Sequence, residues 1–325
     1  MTTTNTSVKT PSKELYGYQK EALQEIFRRF EDAPKDYHLL YQLPTGGGKT
    51  VIFSEIVRRY LETFKKKVLV LTHRIELSKQ TSRMLSEFGV SNKIINSTAK
   101  LDDQSQFGCF VAMVETLKNR LNDEKLDISD IGLVIVDEAH YNSFTKIFKF
   151  FDQSFILGVT ATPLSSNIKL PMYENYQELF VGESIQHLID NDYLSSANLY
   201  SYNVGLTSLE VGANGDYTVK SSEDLYTNSD MLSKLVSAYE ETAKGKKTLI
   251  FNNGINTSIQ VFHAFKKAGY PIAHLDNTNS KSERELILKW FHKTPNAIIT
   301  SVSILTTGFD EPTIEAIILN RATKS

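Results

Sequence analysis

The sequence predicts an α/β protein built from two parallel-sheet domains. Short apolar runs alternate with amphipathic stretches of helical period, which is the pattern of parallel strands joined by helices. The alternation stops in a stretch rich in Gly, Ser, Asn and Asp and then resumes, which indicates two separate units. A glycine-rich segment, Gly46-Gly47-Gly48-Lys49-Thr50, lies between the first predicted strand and a long predicted helix.

The first domain is expected to hold five strands, each a short run dominated by apolar residues. They are His38–Leu43, Lys67–Thr72, Cys109–Val114, Leu133–Val136 and Phe155–Val159. Segments with helical period lie between them, at Val51–Phe64 and Ile75–Phe88. Because unbroken apolar runs are typical of strands buried on both faces, helices are expected on both sides of this sheet.

The second domain repeats the alternation on a smaller scale. Its predicted strands are Thr248–Phe251, Pro271–His274, Ala297–Thr300 and Ala316–Leu319. Its predicted helices are Ile255–Ala268 and Ser280–Phe291. We therefore expect a disordered leader over residues 1–13, a first domain over 14–190, a linker or surface excursion over 191–230, and a second domain over 231–325.

Composition limits the classes of function. A length of 325 residues accommodates two domains, and a hydrophobic content of 41% supports a core in each. The net charge of −2 excludes a histone-like polyanion binder but leaves room for a local basic groove. The single cysteine, Cys109, excludes an internal disulfide and a cysteine zinc cluster, which favours a reducing, cytoplasmic setting. No apolar stretch reaches the ~20 residues that span a membrane, so no membrane partner is expected.

The glycine-rich segment has the context of a phosphate-binding loop. The strand His38–Leu43 leads into Pro44, Thr45 and the three glycines, and a helix follows. Backbone N–H groups of such a loop and the start of the helix bind phosphates. Lys49 is then expected to reach the β- and γ-phosphates of ATP, and the Thr50 hydroxyl to bind Mg²⁺. Leu43 stands where the general pattern has its first glycine.

An acidic segment follows the most apolar predicted strand. Leu133–Val136 is followed directly by Asp137-Glu138-Ala139-His140. The carboxyl ends of parallel strands form the ligand-binding edge of an α/β sheet. Asp137 is expected to hold Mg²⁺, and Glu138 to orient and deprotonate the attacking water.

These two motifs, in this order, resemble the superfamily 2 helicases and translocases, specifically their DEAH-box-like group. The resemblance covers nearly all of the chain from Leu15 onward and implies two RecA-like domains that hold ATP between them. It implies an ATP-dependent nucleic-acid helicase or translocase and favours DNA over RNA. The further residues it implies are Gln19 for adenine, Arg74 and Thr116 for the nucleic-acid backbone, His140, Thr160 and Thr162 for coupling hydrolysis to movement, and Gly308 and Asp310 for the nucleotide.

One element of the family pattern does not occur. The family's motif VI, of the form Gln-x-x-Gly-Arg-x-x-Arg, supplies arginines that reach the γ-phosphate, and the sequence contains no Gly-Arg dipeptide. The second domain is therefore expected to be incomplete at its carboxyl end, as in an expressed fragment, a truncated gene or half of a split protein. Hydrolysis is expected to be weak unless another polypeptide completes the site.

Two other functions fit parts of the sequence. A small-molecule kinase would use the same phosphate loop, but it leaves the second α/β unit unexplained. An ATP-gated nucleic-acid-binding module, with little hydrolysis, is supported by the missing motif VI.

Overall fold

The computed structural model describes residues 14–96, 106–122, 130–165, 167, 169–213, 215–302, 304–305, 309 and 311–322. The chain divides into two compact units between Ala197 and Asn198. Both are α/β units with parallel sheets of RecA-like type, which confirms the predicted fold class. No helix in the described part of the chain combines the length and the apolar character needed to cross a bilayer.

The first unit is a seven-stranded parallel sheet with helices on both faces. Its strands are β1 His38–Gln42, β2 Lys67–Thr72, β3 Asn92–Ile95, β4 Cys109–Met113, β5 Ile131–Asp137, β6 Phe155–Thr160 and β7 Glu178–Val181. Its helices are α1 Gly17–Asp32, α2 Lys49–Phe64, α3 Ile75–Glu87, α4 Val114–Asn122, α5 Thr145–Phe148 and α6 Ile185–Asp190. The spatial order is β3-β4-β2-β5-β6-β1-β7.

Two apolar cores lie on opposite faces of this sheet because successive strand residues point to opposite sides. Leu39 and Tyr41 of β1 belong to the core under α1, α2 and α3, whereas Leu40 belongs to the core under α4 and α5. All seven residues of β5 are buried. Cys109 is also fully buried, and this burial raises the pKa of its thiol.

The second unit is a four-stranded parallel sheet in the order β11-β8-β10-β9. Its strands are β8 Thr248–Asn252, β9 Ile272–Leu275, β10 Ile298–Val302 and β11 Ala316–Asn320. Its helices are α7 Val219–Tyr226, α8 Ser229–Thr242, α9 Ile255–Lys267 and α10 Lys281–Lys293. Helices α8 and α9 cover one face, and α10 covers the other.

Helix α7 lies inside the stretch 191–230 for which a linker or surface excursion was expected. The Thr218 hydroxyl caps it by accepting a hydrogen bond from the backbone of Ser221. Its residues Ser221, Ser222 and Tyr226 are buried. The turn-forming composition around residues 212–216 concealed this helix, whose buried face is largely made of small polar side chains.

A chain of hydrogen bonds between side chains crosses all four strands of the second sheet, and we call it the polar ladder. Its members, in spatial order, are Asn320, Asn252, Thr300, Ser258, His274 and Asp276. Successive members are 2.8–3.0 Å apart. A single direction satisfies every member, because each group can donate to the next and the Asp276 carboxylate accepts at the end.

The last acceptor of the polar ladder is the Asp276 carboxylate, which is ionised. Burial opposes its ionisation, but hydrogen bonds from Thr278 and His274 outweigh burial and hold its pKa below the usual value. We expect Asp276→Asn to destabilise the second unit by about 1–3 kcal/mol, because one buried donor loses its acceptor. Urea unfolding followed through the fluorescence of Trp290, the single tryptophan, measures this loss.

The loss of stability expected in Asp276→Asn depends on pH, and its direction follows from the lowered pKa of Asp276. A depressed carboxyl pKa contributes stability above the pKa of the unfolded chain, about 4, and that contribution disappears as pH falls through the folded value. The difference in the free energy of unfolding between the unaltered chain and Asp276→Asn should therefore become smaller below about pH 4. Asp224→Asn is the control, since Asp224 is exposed on α7. An equal loss from both variants would contradict the prediction.

Candidate functional site

Three neighbouring strands end together at the carboxyl edge of the first sheet. The order β5-β6-β1 places β6 between the strand that carries Asp137 and the strand that leads to the glycine-rich loop. The Leu43 N–H donates to the Thr160 carbonyl at 2.9 Å, and the Ala139 N–H donates to the Val159 carbonyl at 3.0 Å. The loop, the acidic segment and Thr160 therefore share one edge.

The glycine-rich loop turns tightly into α2. The Gly47 N–H donates to the Pro44 carbonyl at 3.0 Å, and the Gly47 carbonyl accepts from the Tyr18 hydroxyl at 2.8 Å. Gly48 has a left-handed backbone, with φ +81°, and α2 begins at Lys49. Thr45 and Gly46 are exposed, and Lys49 and Thr50 are half-buried in the first turn. The start of the helix therefore faces the loop, as anion binding requires.

Gln19 is buried against this loop. Its Oε1 accepts from the Tyr16 N–H at 3.0 Å. Its Nε2 lies 3.4 Å from the Gly47 carbonyl and 3.3 Å from the Tyr18 hydroxyl. Gln19 is thus part of the wall behind the phosphate loop, where its amide links α1 to the loop backbone.

Replacing Gly48 by alanine should weaken nucleotide binding. An added Cβ would stand 2.5 Å from Gln19 Nε2, and the left-handed backbone at φ +81° disfavours any side chain. We expect the affinity for a fluorescent ATP analogue to fall about tenfold or more, since each 1.4 kcal/mol is a factor of ten and the left-handed backbone alone costs about 1–2 kcal/mol.

Gly245→Ala is the matched control for this substitution. Gly245 has φ +82°, and an added Cβ there would meet nothing within 4 Å. It therefore introduces the same backbone strain in the second unit without touching Gln19. A nucleotide affinity that fell equally in both variants would show that the loss reflects general destabilisation and not a change at the phosphate loop.

Asp137 and Glu138 stand at the end of β5 in different surroundings. Asp137 is 7% exposed, and burial raises its pKa to about 7. The neighbouring Glu138 carboxylate adds to this rise, whereas the Lys49 ammonium opposes it. Glu138 is half-buried and has φ +53°, a left-handed conformation that costs a non-glycine residue about 1–2 kcal/mol. Such strained residues concentrate at functional sites.

The donor set at this edge fits Mg²⁺. A buried carboxylate with a raised pKa becomes a favourable ligand when a cation stabilises its ionised form. The Asp137 carboxylate and the Thr50 hydroxyl are oxygen ligands of the kind that Mg²⁺ prefers. No group of three or more His, Cys, Asp or Glu residues able to hold a metal occurs in the described part of the chain. Mg²⁺ needs no such cage where phosphates and water complete its coordination.

His140, Thr160 and Thr162 lie together in one hydrogen-bond network. His140 Nδ1 lies 2.9 Å from Thr160 Oγ1 and 3.4 Å from Glu138 Oε2. The Thr160 hydroxyl donates to the Thr162 carbonyl at 3.1 Å and accepts from the Thr162 N–H at 3.2 Å. Because Thr160 gives its only hydrogen to Thr162, we infer that His140 Nδ1 carries the proton. That N–H faces both Thr160 and Glu138.

Arg74 and Thr116 lie further along the same edge. Arg74 is exposed and follows β2 as the residue before α3, and Thr116 is half-buried in the first turn of α4 after β4. The Arg74 carbonyl accepts from the Thr72 hydroxyl, the Ser78 hydroxyl and the Ser78 N–H, at 3.2, 3.2 and 3.0 Å. The order β4-β2-β5 places both residues on the side of β5 away from the phosphate loop.

The predicted nucleotide residues of the second unit, Gly308 and Asp310, lie outside the described residues. The neighbouring Phe309 packs against the apolar core under α10.

Sequence reasoning missed an aromatic cluster beside the phosphate loop. Tyr193 lies 4.7 Å from the ring of Tyr16 and 5.0 Å from that of Tyr18, centroid to centroid. An added Cβ on Gly46 would stand 2.7 Å from Leu194 Cδ1. Tyr16 and Tyr18 lie just before the recognised Gln19 and could have been found from that position, whereas nothing in the sequence indicates Tyr193 or Leu194.

A glycine-rich loop after β1 and the Asp137-Glu138 pair after β5, in which Asp137 is buried and Glu138 half-buried, lie on either side of β6, which is the arrangement of the phosphate-loop nucleotide-binding class of proteins. Residues 12–165 match the family described as "Type III restriction enzyme, res subunit", and residues 228–325 match "Helicase conserved C-terminal domain". The chain belongs to the superfamily 2 helicases, in their DEAH-like group.

Individual relatives agree with both matches. A 51.5 kDa protein of a Lactococcus phage is 29% identical over 88% of this chain and 59% of its own length. IRC3 of Saccharomyces cerevisiae, named as a candidate ATP-dependent helicase, is 27% identical over 96% of this chain and 47% of its own length. The chain thus spans about half the length of these curated relatives. The Hef helicase domain of Pyrococcus furiosus has the same fold, with a TM-score of 0.62 at 16% identity, over 93% of this chain and 89% of that domain.

Proposed function

We propose that this chain is an ATP-dependent helicase or translocase that acts on DNA. The observation that carries the proposal is the network from Glu138 through His140 to Thr160 and Thr162. It joins the carboxylate proposed to activate water to Thr160 at the end of β6 and to Thr162 just beyond it, beside the phosphate loop. A simple nucleotide-binding site has no need of such a connection.

The residues of the first unit take distinct roles in this proposal. Pro44 to Gly48 and the start of α2 hold the phosphates, and Lys49 neutralises the β- and γ-phosphate charge. Thr50 and Asp137 hold Mg²⁺, which supplies charge stabilisation to the transferring phosphoryl group when it is bound. Glu138 accepts the proton of the attacking water. Its left-handed backbone and the His140 N–H fix where its carboxylate points.

The nucleic-acid side of the proposal uses Arg74 and Thr116. An exposed arginine at the start of α3 and a hydroxyl at the start of α4 suit contacts with the sugar-phosphate backbone. Such contacts do not depend on the base sequence, which a motor that moves along a strand requires. The match to the res subunit of type III restriction enzymes supports DNA over RNA.

Two competing functions have less support. A small-molecule kinase does not account for the match of residues 228–325 to the helicase C-terminal domain. A nucleotide-gated binding module with little turnover is not favoured by relatives whose names include ATP-dependent helicases.

The test measures phosphate release by the purified chain with ATP and Mg²⁺, alone and with single-stranded DNA or RNA. The proposal predicts turnover that DNA stimulates and that removal of Mg²⁺ by EDTA abolishes, at the low rate expected of a sequence without the motif VI arginines. Strand displacement from a partial duplex then separates unwinding from translocation alone. Nucleotide and DNA binding without any turnover would establish the binding module instead, and phosphate transfer to a small acceptor would establish the kinase.

A further inference from the structure

Three aromatic rings connect the residue beside Arg74 to the acidic segment, and we call them the ring stack. The ring of His73 lies 4.3 Å from that of Tyr141, with an interplanar angle of 33°. The ring of Tyr141 lies 4.3 Å from that of His140, with an interplanar angle of 37°. The stack is short because β2 and β5 are neighbours, with Leu71 opposite Val136. His73 and the acidic segment follow the ends of these two strands.

His73 is held differently from the residues around it. Both of its ring nitrogens are buried, and neither has a hydrogen-bond partner in the part of the chain that the structure describes. Burial lowers the pKa of His73, and the nearby Arg74 and His140 lower it further, so the ring is neutral at pH 7. Its orientation therefore depends on packing against Tyr141 rather than on hydrogen bonds.

The two ends of the ring stack are fixed firmly. At one end, the Arg74 carbonyl accepts two hydrogen bonds from Ser78 of α3 and one from the Thr72 hydroxyl at the end of β2, which ties the backbone on both sides of His73 together. At the other end, His140 Nδ1 contacts Thr160 and faces Glu138, and the Tyr141 N–H donates to the Glu138 carbonyl at 3.2 Å. A displacement of the turn that carries Arg74 must therefore move His73 against Tyr141, and Tyr141 against His140.

We propose that His73 is a positioning residue that couples DNA bound at Arg74 to the nucleotide site, through the ring stack His73–Tyr141–His140. The proposal rests on the function proposed above. DNA that binds Arg74 and displaces its turn also displaces the His73 ring. Through Tyr141, the ring stack passes this displacement to the His140 N–H that faces Glu138. The coupling is reciprocal, because a nucleotide that repositions Glu138 acts on Arg74 through the same rings.

Equilibrium binding tests this coupling without requiring hydrolysis. The affinity of the full chain for a fluorescein-labelled oligodeoxythymidylate is measured by anisotropy, with and without adenylyl imidodiphosphate and Mg²⁺. The ratio of the two dissociation constants is the coupling factor. For the unaltered chain we expect a factor of about 5 or more, the lower end of the usual range.

The variants separate the ring from its polar atoms. His73→Ala should bring the coupling factor close to 1, whereas His73→Phe, which keeps a ring in the stack, should retain most of it. Tyr141→Ala should match His73→Ala, and the double variant should lose no more than either single variant, since all three interrupt one path. His38→Ala is the matched control, because His38 also packs against aromatic rings but lies at the opposite end of β1.

Several outcomes would overturn the proposal. They are an unchanged coupling factor in His73→Ala, an equal loss in His73→Ala and His73→Phe, and losses that multiply in the double variant. Melting temperatures of all variants show whether a lost factor reflects unfolding. If His73→Ala does not fold, Tyr141→Ala decides the matter, because it must also bring the coupling factor close to 1. If the unaltered chain bound both the oligonucleotide and the ATP analogue with a coupling factor of 1, the coupling would be refuted while the proposed function stood. Failure to bind the nucleotide at all would refute the proposed function itself.

Discussion

Lys49→Ala is expected to lower kcat/KM for ATP by a factor of about 10²–10³, the usual effect of removing one charged or preorganised donor from developing negative charge. Lys49 stands in the first turn of α2 and is close enough to Asp137 to oppose the rise in its pKa. Its loss removes the one side-chain cation among the predicted phosphate-binding residues. The measurement combines phosphate release with titration of a fluorescent ATP analogue, and both should be impaired.

The control for this substitution is Lys66→Ala. Lys66 is an exposed lysine just beyond the other end of α2, so its replacement alters the same net charge far from the loop. If Lys49→Ala and the unaltered chain showed comparable ATP affinity and turnover, the result would show that Lys49 does not bind the phosphates.

Glu138→Gln is expected to separate binding from hydrolysis. Turnover should fall by about 10²–10⁴, the range for loss of a general acid–base group, while the affinity for ATP changes little. Glutamine keeps the shape of the side chain and a hydrogen-bond acceptor for the His140 N–H, but it cannot accept a proton from water. Removing its charge also relieves the repulsion that helps raise the pKa of Asp137.

Single-turnover phosphate release and nucleotide titration on the same preparation measure the two quantities. Glu174→Gln, at an exposed glutamate of the same unit, is the control. A parallel loss of affinity and turnover in Glu138→Gln would instead indicate that Glu138 holds the nucleotide or its cation.

The strands that sequence predicted and those that it missed differ in burial. Runs such as Val68–Leu71 and Leu133–Val136 are apolar throughout because both faces of the sheet are covered, and this makes them visible in the sequence. Strands β3 and β7 are four residues long and lie at the two edges of the sheet. They contain few buried residues, so no apolar run marks them.

The residues of the candidate site also fall into two groups, those that the sequence predicted and those that it missed. Lys49, Asp137 and Thr160 were recognisable because each follows a predicted strand within a motif of fixed spacing. The residues that support them were not, because their roles depend on contacts between distant segments. Leu194 lies against Gly46, and Tyr18 donates to the Gly47 carbonyl from a different helix. Side-chain chemistry was therefore predictable from local sequence, whereas its supporting contacts required the fold.

The polar ladder of the second unit has a consequence for how the sequence can diverge. Each member donates to the next, so replacing one by an apolar residue leaves a buried donor or acceptor without a partner. Replacing several neighbours together can instead restore a dry apolar interior at little cost. Substitutions at Asn320, Asn252 and Thr300 are therefore expected to be coupled, because replacing the ladder as a whole costs little stability whereas each single replacement destabilises the second unit.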